Sequence, residues 1–342
     1  MLCLDANMKM DVEIVVDSPS DAGGLSVKAE QMGFDCVWVN ETKHDPFLQL
    51  ALAAVETKKI MIGTSIALAF TKSPTSLAYT AWDLQRLSSG RMILGLGSQV
   101  KGHIERRFGM KWEAPVPKMR DVVLAIRSVW ESWQTGRSLM YAGRYFRLDL
   151  MTPFFSPGPQ ESPRIPIYIA GVNERMCSLA GELGDGLHVH PLHTVRYLKE
   201  VVSPALEKGI RRAKRKRDEV SVAASVFAAV GDAESDIRKA KESFRTQLAF
   251  YASTRTYRRL MELHGWGDIC DRLHALSLKG EWIKMAEEVT DEMLDQFVVE
   301  AVWSDLGREL KNRYGGLVDR VRLYRPFDGG GNWQRLMAGF RA

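Results

Sequence analysis

The chain has 342 residues, of which 45% are hydrophobic and 26% charged, with a net charge of +5. That is ordinary globular usage, and the charge is too mild to imply a nucleic-acid partner by itself. No run of eighteen uncharged apolar residues is present to span a bilayer, so neither a membrane span nor a membrane partner is expected. The start, MLCLDANMKMDVEIVV, carries Asp5 and no apolar stretch before small residues, so the expected location is the cytoplasm. Cys3, Cys36, Cys177 and Cys270 show neither CxxC nor CxxH spacing and read as buried small hydrophobes. The basic run KGIRRAKRKRDE, Lys208 to Glu219, ends a helix-like segment without interleaved aromatics, and it reads as a solvated helix end.

In chain order, VEIVV (Val12 to Val16) reads as a strand, followed by a helix from Asp21 to Met32. CVWVN (Cys36 to Asn40) is the second strand, and its helix opens at Asp45-Pro46. KIMIGTS is the third strand, and its helix is SPTSLAYTAWDLQRLSSG, with Ser73 as cap and Pro74 in the first turn. RMILGLGS is the fourth. A helix from Met119 to Thr135 leads into GRSLMYAGRYFRLD, which reads as an inserted hairpin, and the five prolines of residues 152–166 require a loop. Strand and helix then alternate again: IPIYIAG, ERMCSLAGELG, DGLHVH, TVRYLKEVVSPALEKGI, and VSVAASVFAAV (Val220 to Val230) with a helix after Asp232. Residues 252–300 are mainly helical in composition, and SDLGRELKNRYGG with VDRVRLYRP supplies a last helix and strand.

Eight such units without a compositional break predict α/β architecture, a single (β/α)8 TIM barrel over residues 1–342. Residues 136–166 and 252–300 are its insertions. The competing open sheet with a dinucleotide site lacks GxGxxG after the first strand, where DSPSDAGG stands.

Parallel barrels carry their sites at the carboxyl ends of the strands. The residues there are Asn40, Glu41, Thr42 and His44; Thr64 and Ser65; Gly97, Ser98 and Gln99; Gly171, Val172 and Asn173; and His188 and His190. No GxSxG elbow and no HExxH pair is present. His188 and His190 share a strand face, but no third ligand can be named, so no metal is expected. In AGVNERM, Gly171 ends a strand just before a helix, where free backbone N–H groups suit an anion; simple dipole stabilisation by Glu174 is the alternative.

GFDCVWVNETKHDPF, IGTSIALAFTKSPTSLAYTAWDLQRLSSGRMILGLGSQVKGHIERRFGM and IPIYIAGVNERMCSLAGELGDGLHVHP together resemble the luciferase-like flavin and deazaflavin oxidoreductases. The resemblance runs from Val12 to Pro326 and looks most like the branch that uses coenzyme F420, an 8-hydroxy-5-deazaflavin with a phosphate and an oligoglutamate tail. It implies a ring lying against strand three, at a non-prolyl cis peptide that maps to Ser65-Ile66 beside Thr64. It also implies that Gly97, Ser98 and Gln99 border the ring and that Gly171, Val172 and Asn173 form the phosphate turn. The family's Asp-His pair after strand two has become Glu41-Thr42, with His44 displaced by two residues, and Val100 stands where some relatives carry a glutamate. His44 is therefore the first candidate for the proton donor, followed by Glu41 and His190. A loop histidine beside the helix start is the other reading of His44.

The resemblance implies hydride transfer between the deazaflavin C5 and a small organic substrate. The alternatives are an FMN-dependent monooxygenase of the same fold and a cofactor-free ligand-binding barrel. Relatives are usually homodimers, which periodicity here does not decide. The insertion aromatics Tyr141, Tyr145, Phe146, Phe154 and Phe155 either cover the pocket or fill a hairpin interface. Gly63, Thr64 and Ser65 are small enough to leave room beside a flat ring; a bulge or tight packing point is the alternative.

Overall fold

The computed structural model describes residues 8–342; Cys3 and the residues of the start read for a targeting signal up to Asn7 lie outside them. Eight strands run parallel: β1 (Lys9–Ile14), β2 (Cys36–Val39), β3 (Met61–Thr64), β4 (Met92–Gly97), β5 (Ile167–Gly171), β6 (Gly186–Val189), β7 (Ser221–Gly231) and β8 (Arg320–Pro326). They pair in chain order, and β8 returns to β1 through Lys9 opposite Arg320 and Met10 opposite Val321. The sheet is thereby closed into the (β/α)8 barrel.

Closure gives each strand two covered faces. Met10, Val12 and Ile14 of β1, Val37 and Val39 of β2, and Ile167 and Ile169 of β5 belong to the large apolar layer under the helices. The other parity faces the axis, where the apolar cluster is small: Cys36, Trp38, Ile93, Tyr168 and Ala223. The first strand begins at Lys9, three residues before the expected start. Asp11 and Glu13 do not break it, because they point inward to arginines of β8.

The helix starts follow local chemistry. Asp45 accepts from the Phe47 N–H at 2.8 Å and Pro46 occupies the first turn of the helix Pro46–Glu56. Ser73 caps Pro74–Leu87 in the same way. The basic run closes the helix Ser203–Arg212, and Arg215 is spent on the carbonyls of Gly181 and Gly184.

Three differences from the sequence reading stand out. Val298–Val302, at the end of the segment read as helical and just beyond it, is a strand that pairs in parallel with the far half of β7, from Phe227 opposite Val298 to Gly231 opposite Val302. β7 is long enough to close the barrel with its first half and recruit this strand with its second. A C-terminal helix, Gly331–Arg341, follows β8, and its Trp333 packs on Phe34 and Phe327 at 6.1 and 5.1 Å between ring centroids. The hairpin of Tyr141–Ala142 and Arg147–Leu148 forms as expected, but the insertion does not cover the barrel mouth. Its Tyr145 N–H donates to Asp121 on the helix Pro115–Thr135, and Phe154 and Phe155 are exposed on the outside.

Candidate active site

The peptide bond between Ser65 and Ile66 is cis. The bulge it makes is held from three sides. The Ser65 N–H donates to the Val39 carbonyl at 2.8 Å, and the Glu41 N–H donates to the Ile66 carbonyl at 3.2 Å. The Glu41 carboxylate accepts from the Leu68 N–H at 2.8 Å and pairs with Lys72. Glu41 thus clasps the bulge with both of its oxygens engaged. On the fourth strand, a Cβ at Gly97 would stand 2.6 Å from the Ile66 side chain, so any larger residue there would force Ile66 to shift.

The small residues before the bulge serve different ends. A Cβ on Gly63 would fall 2.4 Å from the Trp38 ring, so the space that glycine leaves is filled by tryptophan and is not a ligand's. Thr64 is fully buried; its hydroxyl donates to the Gly95 carbonyl at 2.7 Å and accepts from the Gly95 N–H at 2.9 Å. It ties β3 to β4 and does not face the cavity. Ser65 does.

A cavity of about 1120 Å³ opens at the carboxyl ends of the strands. It brings together Ser65 and Ile66, the Gly97-Ser98-Gln99 end of β4, the Gly171-Val172-Asn173 turn, Glu41 and His190. Gln99 has a left-handed backbone with φ of 58°, and its side-chain oxygen accepts from the Val100 N–H at 2.9 Å, so the chain turns sharply at the rim. His44 is not brought in. Its Nε2 lies 3.0 Å from the Asp17 carbonyl, because the helix start at Asp45-Pro46 carries it outward toward the loop after β1.

The helix Glu174–Leu183 begins at the cavity edge with no side-chain cap. Asn173, at the capping position, is used elsewhere: its amide donates to the Thr256 carbonyl at 3.1 Å, and its oxygen and the Val172 carbonyl share the Tyr197 hydroxyl. The Met176 N–H is spent on the Asn173 carbonyl at 3.1 Å, so the Glu174 and Arg175 N–H groups are the ones left for a ligand. Arg175 and Arg259, the latter 3.8 Å from the Glu174 carboxylate, stand beside them on the cavity wall. Gly171 permits this close start, since a Cβ there would approach Leu187 and Cys177 at 3.0 and 3.1 Å.

His190 is oriented by two contacts. Its Nδ1 accepts from the Leu192 N–H at 3.1 Å, and its Nε2 lies 2.9 Å from the Tyr257 hydroxyl. Burial, with His193 close by, pushes its pKa down to about 3. The ring is therefore neutral near pH 7, its one proton sits on Nε2, and it donates to Tyr257. Burial raises the Tyr257 pKa, so that hydroxyl keeps its own proton and can offer it to the cavity. Tyr251 packs edge-on against His190, and its hydroxyl meets that of Tyr324 at 2.7 Å. Tyr251 and Tyr257 come from the segment after β7, and with Tyr324 they make an aromatic wall that the sequence did not single out.

The floor is polar. Arg320 holds Asp11 through two hydrogen bonds of 2.8 and 2.7 Å, and the Trp38 Nε1 donates to the same carboxylate at 2.8 Å. One layer higher, Glu13 accepts from Asn40 at 2.5 Å, while Arg322 donates to the Ser65 hydroxyl at 2.6 Å. His188 is buried between Trp38 and Tyr168, where burial and Arg322 push its pKa well below the usual value. Glu13, Arg322 and Ser225 were not read from the sequence as site residues. Their signal is the alternation of charge with Val12 and Ile14 in β1, and with Val321 and Leu323 in β8. Among the described residues, no group of three or more His, Cys, Asp or Glu is placed to hold a metal ion, and no helix is long and apolar enough to cross a membrane.

The family model described as luciferase-like monooxygenase matches residues 1–320. The chain is 44% identical over 300 residues to an uncharacterized protein of Mycobacterium tuberculosis, covering 88% of each chain. It is 30% identical over 307 residues to the 5,10-methylenetetrahydromethanopterin reductase of Archaeoglobus fulgidus, covering 87% of this chain and 88% of the relative. In fold it is similar to the coenzyme F420 dependent tetrahydromethanopterin reductase of Methanopyrus kandleri, with a TM-score of 0.78, 22% identity and 97% of each chain covered. With a closed parallel barrel and a family match over most of its length, the chain belongs to the luciferase-like monooxygenase family.

Proposed function

We propose that this protein is a coenzyme F420-dependent oxidoreductase acting on a small organic substrate. The observation that carries the proposal is one continuous cavity running from Ser65 and Ile66 at the end of β3 to the uncapped helix start at Asn173. A flat ring and an anionic tail need those two surfaces in one chamber. The F420-dependent relatives support the same reading.

The residues fit such a group. Glu41 and Lys72 hold the bulge rigid, and the rim at Ser98 and Gln99 bounds it on the side of β4. The Glu174 and Arg175 N–H groups and the charges of Arg175 and Arg259 suit a phosphate and further carboxylates. When bound, a deazaflavin supplies hydride chemistry at its C5 atom. The chain's own part is to orient, to exclude water with Tyr251, Tyr257 and Tyr324, and to present the Tyr257 O–H to a substrate oxygen. Among the sequence candidates, His44 is turned away and Glu41 is engaged at both oxygens, so His190 acts by orienting Tyr257.

Titration of the purified protein with F420 and, separately, with FMN tests the proposal. Saturable F420 binding with a perturbed deazaflavin spectrum is expected. Tight FMN binding with no response to F420 would replace it with the FMN-dependent monooxygenase, and binding of neither would leave the cofactor-free barrel.

A further inference from the structure

Besides His188, whose two ring nitrogens are also unpartnered, three polar side chains in the cavity floor have unmet hydrogen-bonding atoms. Glu13 uses one carboxylate oxygen on Asn40 and leaves Oε2 without a partner; Arg322 uses Nη2 on Ser65 and leaves Nε and Nη1; Ser225 leaves its hydroxyl. Their relative exposures are 5, 6 and 1%, and all three line the cavity. Glu13 Oε2 and Arg322 Nε stand 3.6 Å apart, too far for a hydrogen bond between them. Ser225 is directly opposite Arg322 in the strand register. Buried polar groups are rarely left unmet, and each such atom costs stability unless something arrives to pair with it.

The charges decide what that something is. A carboxylate would meet Arg322 but be repelled by Glu13, and an ammonium would meet the reverse. A neutral group with an acceptor and a donor side by side satisfies both without burying a net charge. A single hydroxyl oxygen would leave more of the three residues unmet than a two-atom edge does. We propose that Glu13 and Arg322, with Ser225 beside them, are a receptor for an amide-type edge, a ligand C=O next to an N–H. Arg322 donates to the carbonyl and Glu13 accepts from the N–H. Such an edge occurs in the pyrimidinedione ring of a deazaflavin or flavin and also in cyclic amide substrates. The inference therefore deepens the proposed function without naming which partner brings the edge.

Equilibrium titrations of wild type, Glu13→Gln and Arg322→Lys test it, with F420, FMN and lumazine, a bicyclic pyrimidinedione without phosphate or tail, as probes. Thermal melts identify which variants are folded, and the conservative pair guards against loss of one variant to misfolding. Glu13→Gln keeps an acceptor but loses its charge, and Arg322→Lys loses the fixed guanidinium fork, so each predicts about a tenfold rise in Kd. If the cofactor brings the edge, that rise appears for F420 and FMN, and lumazine competes with them. If the substrate brings it, cofactor affinity is unchanged, while lumazine binds the cofactor-loaded wild type and is lost in both variants. If wild type binds neither cofactor, the deazaflavin reading fails, and lumazine binding to the free protein, lost in the variants, still upholds the receptor. Folded variants that bind every probe like wild type, or a wild type that binds none, overturn it and leave a pair bridged by buried water.

Discussion

Arg322 donates a 2.6 Å hydrogen bond from Nη2 to the hydroxyl of Ser65, joining β8 to the bulge after β3 across the barrel interior, 257 residues apart in sequence. The bond links the charged floor to the surface on which a cofactor ring is proposed to lie. Ser65→Ala removes the acceptor and leaves a further buried N–H unmet. The expected cost is about 1–3 kcal/mol, read as a lower urea midpoint at unchanged m value. A change under about 0.3 kcal/mol would mean the bond contributes nothing to stability.

The glycines of β3 and β4 differ in what stands opposite them. At Gly95 a Cβ would lie 1.9 Å from the Thr64 carbonyl oxygen, a backbone atom that cannot move aside. At Gly63 the nearest atoms are in the Trp38 ring, at 2.4 Å. Both alanine variants are expected to lose stability, Gly95→Ala by more than the roughly 1–3 kcal/mol typical of overpacking. Gly102→Ala, with nothing within 4 Å, is the control and should be neutral or stabilising. Equal melting temperatures for Gly95→Ala and Gly102→Ala would contradict the packing.

Stability should fall in acid because of buried neutral histidines. Burial holds His190 down to about 3 and His193 down to about 4, both below the ordinary value of 6.5. Between those limits the unfolded chain binds protons that the folded chain refuses. Their contribution is complete above about pH 6.5 and declines as pH falls, by roughly 1.4 kcal/mol per pH unit for each histidine. Unfolding free energies measured from pH 7.5 to 4.5 should show that slope, and His193→Phe should reduce it. An unchanged slope in that variant would exclude His193 as a source.

Arg175 stands at the open end of the cavity, beside the uncapped start of the helix Glu174–Leu183. If it meets an anionic tail, Arg175→Gln should weaken F420 binding by about fivefold at low salt, and by less at 0.5 M salt where exposed charges are screened. Isothermal titration at two ionic strengths reads this directly. A loss independent of salt would point to a structural effect of the substitution.

Tyr257→Phe removes the hydroxyl that His190 orients while keeping the ring. Folding should weaken by about 1–3 kcal/mol, because the His190 Nε2–H loses its acceptor. Binding of a substrate with an oxygen at the reacting carbon should weaken in the cofactor-loaded protein. Unaltered substrate affinity would remove Tyr257 from the site.

Local pattern carried much of the architecture. Apolar runs separated by capped helices, with Asp45-Pro46 and Ser73-Pro74 at their starts, are enough to predict eight strand-helix units, while the Ser65-Ile66 position and the β4 rim come from the family resemblance carried by IGTS and LGLG. The residues lost to sequence reasoning are those whose partners are distant. Asp11 and Glu13 interrupt the apolar run of the first strand, and Arg320 and Arg322 look like the solvated side of the last. His44 looked close to the site because it is two residues from Glu41, yet a helix start turned it to Asp17. Alternation along a strand is set by neighbouring residues and is visible in the sequence. Which parity becomes the interior is decided only when β8 meets β1, because closure puts those carboxylates and guanidinium groups into one low-dielectric space where each must find a partner.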